Sequence, residues 1–413
     1  MSTRAALSPY RILDLTTERG WLAGKILADL GAQVTKVEPP GGDPGRLKPP
    51  FAGGQAAPDT GLRWLAYNRG KRSITLDLAQ AGGRELFLKL AARADAVLES
   101  FNPGQMEAWG LGPAELHAIN SRLVLTRITP FGQTGPYADY AASDLILSAI
   151  GGAAWLSGEL DRAPVRVTAP QYFLHASAEA AAHTAVGLTH AAVTGQGQQM
   201  DVSAQSTTVR TLMNAVAFAA EGTLLRREPL GNPERDIPAR SLFACADGYV
   251  IAFFTFGPGL VGFRSWARAQ GDPIPENFEA FSDEELARGQ ALYADHPGLA
   301  ATLTTFFEGF IGRRTRRELL DEAMRRHLLI SVINNLPDVL EDDQLADRGY
   351  FQPVADRRGG VARYPTRWAH LTATPLLDTA AAPTVGEHNE DVWLDEAELG
   401  RTALDRAVAE GVV

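Results

Sequence analysis

Residues able to do chemistry gather in two stretches of the chain, Asn68–Leu78 and Val167–Ser203. The first, Asn68-Arg69-Gly70-Lys71-Arg72-Ser73, is a basic turn running into a strand. It reads either as a solvated loop or as a clamp in which Lys71 and Arg72 hold the phosphates of an anionic ligand. The second runs from an extended segment, Val167 to His175, into an Ala-rich helix, Ala176 to Val193, whose one carboxylate is Glu179. A glycine turn, Thr194-Gly195-Gln196-Gly197, and a strand ending at Ser203 follow. Alanine keeps helix propensity high and lets another backbone approach closely. The loop ahead of such a helix is where α/β enzymes place reacting groups. Other constellations are weaker. His183 and His190 are roughly 10 Å apart by helical rise, too far to share a metal. The chain has no GxSxG, P-loop or HExxH. Glu38 ends a strand where a ribose-binding acid would stand. The turn Thr16–Trp21, however, has no GxGxxG and puts Glu18 where a pyrophosphate needs room, which argues against a dinucleotide.

The elements that must position these residues follow from hydrophobic spacing. Arg11–Leu15 predicts a strand, Trp21–Leu30 a helix stopped at Gly31, and Gln33–Glu38 a second strand, a βαβ opening with a parallel sheet. A helix over Gly83–Ala94 and strands at Ala96–Glu99 and Leu123–Ile128 extend it to a doubly wound α/β domain. Ser203–Glu221 predicts one apolar helix, Glu221–Arg240 a linker rich in charge, Pro and Gly, and Ala244–Phe254 a hairpin around Asp247-Gly248. Helical spacing recurs over Leu260–Gln270, Asp283–Tyr293, Gly298–Phe310, Arg313–His327 and Asp338–Arg348. A chain of 413 residues supports two or three domains. Its net charge of −10, from 39 Lys and Arg against 49 Asp and Glu, argues against a general nucleic-acid binder. One cysteine, Cys245, excludes an intrachain disulfide. With no apolar leader and no run of membrane-spanning length, a cytoplasmic protein without membrane segments is expected.

Several segments, in order along the chain, resemble the class III CoA-transferases, the family of formyl-CoA transferase, carnitine CoA-transferase and α-methylacyl-CoA racemase. They are Leu27–Pro44, Asn68–Leu78, Phe131–Tyr137, Thr194–Ser203 and Asp342–Phe351. The resemblance implies an α/β fold: a Rossmann-like large domain built from both chain ends, residues 1–222 and 336–413, and a smaller α+β domain, 241–335, reached through a linker at 223–240. It implies an interlocked dimer, a coenzyme A thioester as substrate and no covalently bound cofactor. Lys71, Arg72, Phe101, Gly132 and Gln133 are the CoA contacts it implies, although two cations that touch CoA in relatives fall here at Ala79 and Ala108.

The mechanism of that family needs an Asp, which attacks the acyl-CoA thioester to give a mixed anhydride and free CoA thiolate. A carboxylate suits this because it is ionised at neutral pH and its acyl product is readily cleaved. Counting back from Gly195 puts the Asp at about Gln171 to Phe173, yet no carboxylate stands between Asp161 and Glu179. Gln171 cannot form an anhydride, and Tyr172, with an ordinary pKa of about 10, yields little phenolate at neutral pH. His175 could act as a base or acyl carrier, or be a helix-start histidine bonded to backbone; Glu179 would have to reach back from inside the helix. The racemase branch places a His ahead of Asp144, where this chain has Ser143, and Asp144 reads as a cap for a helix from Leu145. Three functions therefore compete. One is a non-catalytic subunit beside a homologous, Asp-bearing CoA-transferase subunit, as heteromeric members that activate aromatic or dicarboxylic acids look similar in this respect. The second is a homodimeric CoA-transferase using His175 or Glu179. The third is a CoA- or ligand-binding pseudoenzyme.

Overall fold

The computed structural model describes residues 5–8, 10–159, 161–225, 227, 241–254, 259–296, 298–355, 360–378 and 380–413. No helix among them is long and apolar enough to cross a membrane. The chain divides into two compact units, one of Met1–Ala153, Val167–Met213 and Asp343–Val413, the other of Ala154–Arg166 and Asn214–Asp342. The first is built from both chain ends, as the resemblance implies, and the second also takes in Ala154–Arg166, which the expected large domain held. The linker expected at 223–240 lies almost wholly outside the described residues.

The larger unit is organised on six parallel strands: β1 Arg11–Leu15, β2 Gln33–Glu38, β3 Arg72–Thr75, β4 Ala96–Glu99, β5 Val124–Thr129 and β6 Gln199–Ser203. Their order across the sheet is β3-β2-β1-β4-β5-β6. The chain moves outward from β1 to β3, then returns to β4 on the other side of β1, so the order reverses between β1 and β4. Strands at that centre are buried on both faces, which is why Ile12-Leu13-Asp14-Leu15 and Ala96-Val97-Leu98-Glu99 lack alternation. Helices α1 Trp21–Asp29, α2 Leu62–Tyr67, α3 Ala81–Ala91, α4 Gln105–Ala108 and α5 Pro113–Ile119 fill the connections, and α6 Asp144–Ile150 precedes the longest helix, α7 Tyr172–Thr194. The tail returns Val392, Trp393, Leu404 and Val412 to the core over Leu13, Leu76 and Val97.

Alanine and glycine let α7 lie close on the sheet, burying Ala176, Ala180, Ala181, Gly187 and Ala191. Gly195 ends it in the left-handed region, at φ +77°, donating to the carbonyl of Ala191. Gly197 donates to Ser121 O at 2.8 Å, and a methyl group added to it would lie 2.0 Å from the carbonyl oxygen of Leu123. Gly197→Ala therefore costs about 2–3 kcal/mol, because only a backbone shift relieves that overlap. Gly195→Ala meets nothing within 4 Å and costs about 1 kcal/mol for its conformation. Urea unfolding of the two variants is the check, and equal losses would contradict this account of the turn.

The apolar run Ser203–Glu221 forms two helices rather than one, α8 Ala204–Thr211 and α9 Met213–Ala220, with Leu212 between them at φ −110° and ψ 23°. In the smaller unit the expected hairpin is present as β7 Leu242–Cys245 and β8 Gly248–Phe253, joined antiparallel by β9 Leu329–Val332. One face of this sheet covers an aromatic core of Phe243, Phe254, Phe263, Trp266, Phe307 and Phe310. The single helices expected over Asp283–Tyr293 and Asp338–Arg348 are each broken in two, the first at Gly289, whose φ is +56°.

Candidate functional site

In an open parallel sheet, ligands bind outside the carboxyl ends of the strands where the strand order reverses. Here that point lies between β1, continued by Thr16-Thr17-Glu18-Arg19-Gly20, and β4, continued by Ser100-Phe101-Asn102. The two loops are joined to each other. The Thr17 amide donates to Ser100 Oγ at 2.8 Å, the two hydroxyls are 3.1 Å apart, and Arg19 Nη1 donates to Asn102 Oδ1 at 3.2 Å. Between them opens a cleft of about 360 Å³ lined by Thr17, Arg19, Lys48, Ser100, Phe101 and Trp109, among others. Phe101 and Trp109 meet edge to face at 5.1 Å, and Lys48 closes on Glu18 at 2.5 Å.

Buried charges hold both walls. Asp14 Oδ1 accepts from the Thr16 amide at 2.9 Å and the Thr16 hydroxyl at 2.6 Å, and its Oδ2 accepts from Lys71 Nζ at 2.7 Å. Lys71 also donates to Trp21 O at 2.7 Å and Asn68 Oδ1 at 2.8 Å, while Lys36 donates to Thr16 O at 2.7 Å. Burial would raise the Asp14 carboxyl, but Lys71 and Lys36 outweigh it and hold it below its ordinary value. For Lys71 burial is the larger influence and pulls the ammonium down to about 8, against the attraction of Asp14. On the other wall Glu99 accepts the Phe101 amide at 2.7 Å and Arg127 Nε at 2.7 Å, and Arg127 forks onto Glu107 at 2.7 and 3.0 Å. Burial, the largest influence, raises the Glu99 carboxyl above its usual range despite Arg127.

These contacts change the reading of the basic turn. Lys71 is neither a solvated loop residue nor presented to a ligand: its ammonium is buried and already makes three bonds within its own chain. Arg72 is paired with Glu396 of the tail. Of the five expected CoA contacts, Phe101 lines the cleft. Gly132 and Gln133 follow β5, one strand further along, where the Gly132 amide donates to Thr129 Oγ1 and the Gln133 amide to Asp201 Oδ2, both at 2.8 Å.

The start of α7 also differs from the sequence expectation. The helix begins at Tyr172, not Ala176, so Tyr172, Phe173 and His175 belong to its first turns and Gln171 is its N-cap residue. Its N-terminal amides are satisfied from a distance: Asp144 Oδ1 accepts from Gln171 N at 3.0 Å and Tyr172 N at 2.7 Å. Asp144 thus caps α7, and Ser143 rather than Asp144 is the N-cap of α6. Two stripes then run along α7. Phe173, Ser177 and Thr184 face the sheet and the Arg19 loop: Ser177 Oγ lies 2.8 Å from Phe173 O and 3.1 Å from Arg19 O, the Arg19 guanidinium lies 5.9 Å from the Phe173 ring centre, and the Thr184 and Thr126 hydroxyls are 2.8 Å apart. His175 and Glu179 point about 160° and about 120° around the helix from Phe173. Glu179 pairs with Arg210 of α8 at 2.5 Å, in a groove with His183, Asp201 and Ser203, and His175 stacks edge-on to Tyr172 at 6.1 Å with its Nδ1 buried and unbonded. Of Gln171, Tyr172 and Phe173, Phe173 is the one that has the Arg19 guanidinium over its ring.

The sequence profile of CoA-transferase family III matches residues 7–389. The chain belongs to that family. Among family members it is 34% identical to the Succinyl-CoA:(R)-benzylsuccinate CoA-transferase subunit BbsE of Thauera aromatica, over 94% of this chain and 93% of that one. It is 30% identical to the Succinyl-CoA--L-malate CoA-transferase alpha subunit of Chloroflexus aurantiacus, over 98% and 92%. The crystal structure of a CAIB/BAIF family protein from Brucella suis superposes with a TM-score of 0.80 at 31% identity, covering 96% of this chain and all of that one. The family's substrates are CoA thioesters, and the cleft lies at the switch point, where open parallel sheets bind ligands. Thr17, Arg19, Lys48, Ser100, Asn102 and Trp109 are the cleft residues that sequence reasoning passed over. The two Thr and Glu18-Arg19 were visible as a loop after the first strand, but only the strand order shows that this loop faces the one after β4.

Proposed function

We propose that this chain is the non-catalytic subunit of a heteromeric class III CoA-transferase, working beside a homologous subunit that carries the Asp. One observation carries this reading. The first-turn position of α7 that lies against Arg19 of the cleft loop is Phe173, which cannot attack a thioester. The other candidates do not replace it, since Glu179 is held by Arg210 and both His175 and Glu179 point away from the cleft face. Relatives named as subunits support a mixed assembly, and those two act with succinyl-CoA by name, so succinyl-CoA is the CoA donor and an organic acid the acceptor in this reading. The partner would cover apolar side chains exposed here, such as Leu145, Ile146 and Ile150 of α6 and Met213 and Val216 of α9, which is the role an interlocked dimer gives them. A cytoplasmic setting goes with the single cysteine.

The test is co-expression with a homologous chain that carries the Asp, followed by adduct trapping. The expected result is a stable mixed complex that exchanges CoA between succinyl-CoA and an acid, with every covalent acyl or CoA adduct mapping to the partner. Exchange by this chain alone, or an adduct on His175 or Glu179, would sink the proposal. A chain that binds CoA thioesters but neither a homologous partner nor an acceptor acid is a pseudoenzyme instead.

A further inference from the structure

Arg19 is the cation of the cleft that makes no ion pair with a carboxylate among the described residues; the neighbouring Glu18 acts on it only through space. Lys48 is taken by Glu18. Asp43, the other acid of the lining, is turned to its own surroundings, accepting from Gly45 N at 2.8 Å and Trp21 Nε1 at 3.2 Å. Arg19 touches instead a neutral amide, Asn102, and the face of a phenyl ring, Phe173. Its carbonyl lies 3.1 Å from Ser177 Oγ, whose proton it shares with Phe173 O at 2.8 Å.

A half-buried guanidinium is short of water and is stabilised by an anion that replaces it. Its planar fork matches a carboxylate, and with Nη1 on Asn102 the remaining N–H groups are open for one. The hydroxyls of Thr17 and Ser100 line the same cleft, and the one that does not donate in the bond between them is free to donate to the same oxygens. The residue under the guanidinium matters too. An Asp at position 173 would neutralise Arg19 from within the chain, whereas Phe173 leaves the charge for a ligand.

We propose that Arg19 binds the free carboxylate of an organic acid in this cleft, either the acid itself or the far end of a dicarboxylic acyl-CoA. The proposal rests on the cleft being a CoA-thioester site, as in the proposed function, and adds the chemistry that it selects.

The test is calorimetric titration of the full chain in the oligomer it forms, with the Asp-bearing subunit present where folding requires it and no acceptor acid added. The probes are succinyl-CoA, butyryl-CoA (the same acyl length with a methyl in place of the carboxylate), CoA and succinate. The expected result for Arg19→Gln is a loss of about tenfold or more in succinyl-CoA affinity at this chain's site, the size of one charge-assisted hydrogen bond, with butyryl-CoA and CoA unchanged. Arg19→Lys should retain part of the preference. A parallel loss for free succinate identifies the acid as a ligand in its own right; a loss confined to succinyl-CoA identifies the thioester. Equal weakening of all CoA compounds would place Arg19 on the phosphate or pantetheine part and overturn the proposal, as would no change at all. A wild-type site that binds none of the four probes overturns both this inference and the reading of the cleft. If instead the probes bind as expected and the mixed complex transfers nothing, the subunit role alone fails.

Discussion

In the proposed mixed complex, exchanging the Asp of the homologous subunit for Asn should lower kcat by at least about a thousandfold, because the covalent route is lost with its nucleophile. In this chain, Tyr172→Phe, His175→Ala and Glu179→Gln should each leave kcat within about threefold, since in the proposed role none supplies a reacting atom. The asymmetry follows from α7. Thioester attack needs an ionised oxygen within reach of the carbonyl and facing the cleft. Phe173 has the place without the oxygen. Glu179 has the oxygen without the place: it lies roughly 9 Å further along the helix axis than Phe173 and is paired with Arg210. Tyr172 is buried, and its backbone amide is engaged by Asp144. Steady-state kinetics of the four complexes is the measurement. A kcat loss of a hundredfold in His175→Ala or Glu179→Gln, with the complex intact by gel filtration, would return the nucleophile to this chain.

The sheet was legible because its strands are short, apolar and separated by helical spacing and glycine stops, so the βαβ reading of Arg11–Glu38 needed only local information. The start of α7 was not. Pro170-Gln171-Tyr172-Phe173 holds no Ser, Thr, Asp or Asn to act as a local cap, and the cap arrives from Asp144, 27 residues before Gln171 and on another helix. The role of Lys71 was hidden for the same reason, since its partner Asp14 stands on β1 and only the sheet brings the two together. That no carboxylate stands between Asp161 and Glu179 was readable from the residues alone. That Phe173 in particular lies under Arg19 required the helix to be phased by its contacts.

The largest effect on stability should come from Lys71→Met, which leaves Asp14 buried without its cation and should cost about 3–5 kcal/mol. Asp14 and Lys71 are both buried, and the ammonium has no water to fall back on. The double variant Asp14→Asn with Lys71→Met should recover most of the loss, because a neutral pair of similar volume carries no unpaired charge. The pH dependence has a defined sign. The folded Lys71 has a pKa near 8 against its ordinary 10.5, so it binds its proton more weakly when folded. Between those values the unfolded chain holds more protons at this residue, and its contribution to stability rises with pH across the window and is flat below it. Urea midpoints at pH 8 and pH 10 should therefore differ in the wild type by an increment missing from the double variant; an identical change in both would contradict the burial of this ammonium. The pair also fixes function, because Asp14 holds the Thr16 amide and hydroxyl from which Thr17, Glu18 and Arg19 continue. Lys71→Met should loosen that loop and weaken ligand binding in the cleft while touching no ligand. A direct phosphate clamp would predict the reverse, a loss of affinity with the fold unharmed.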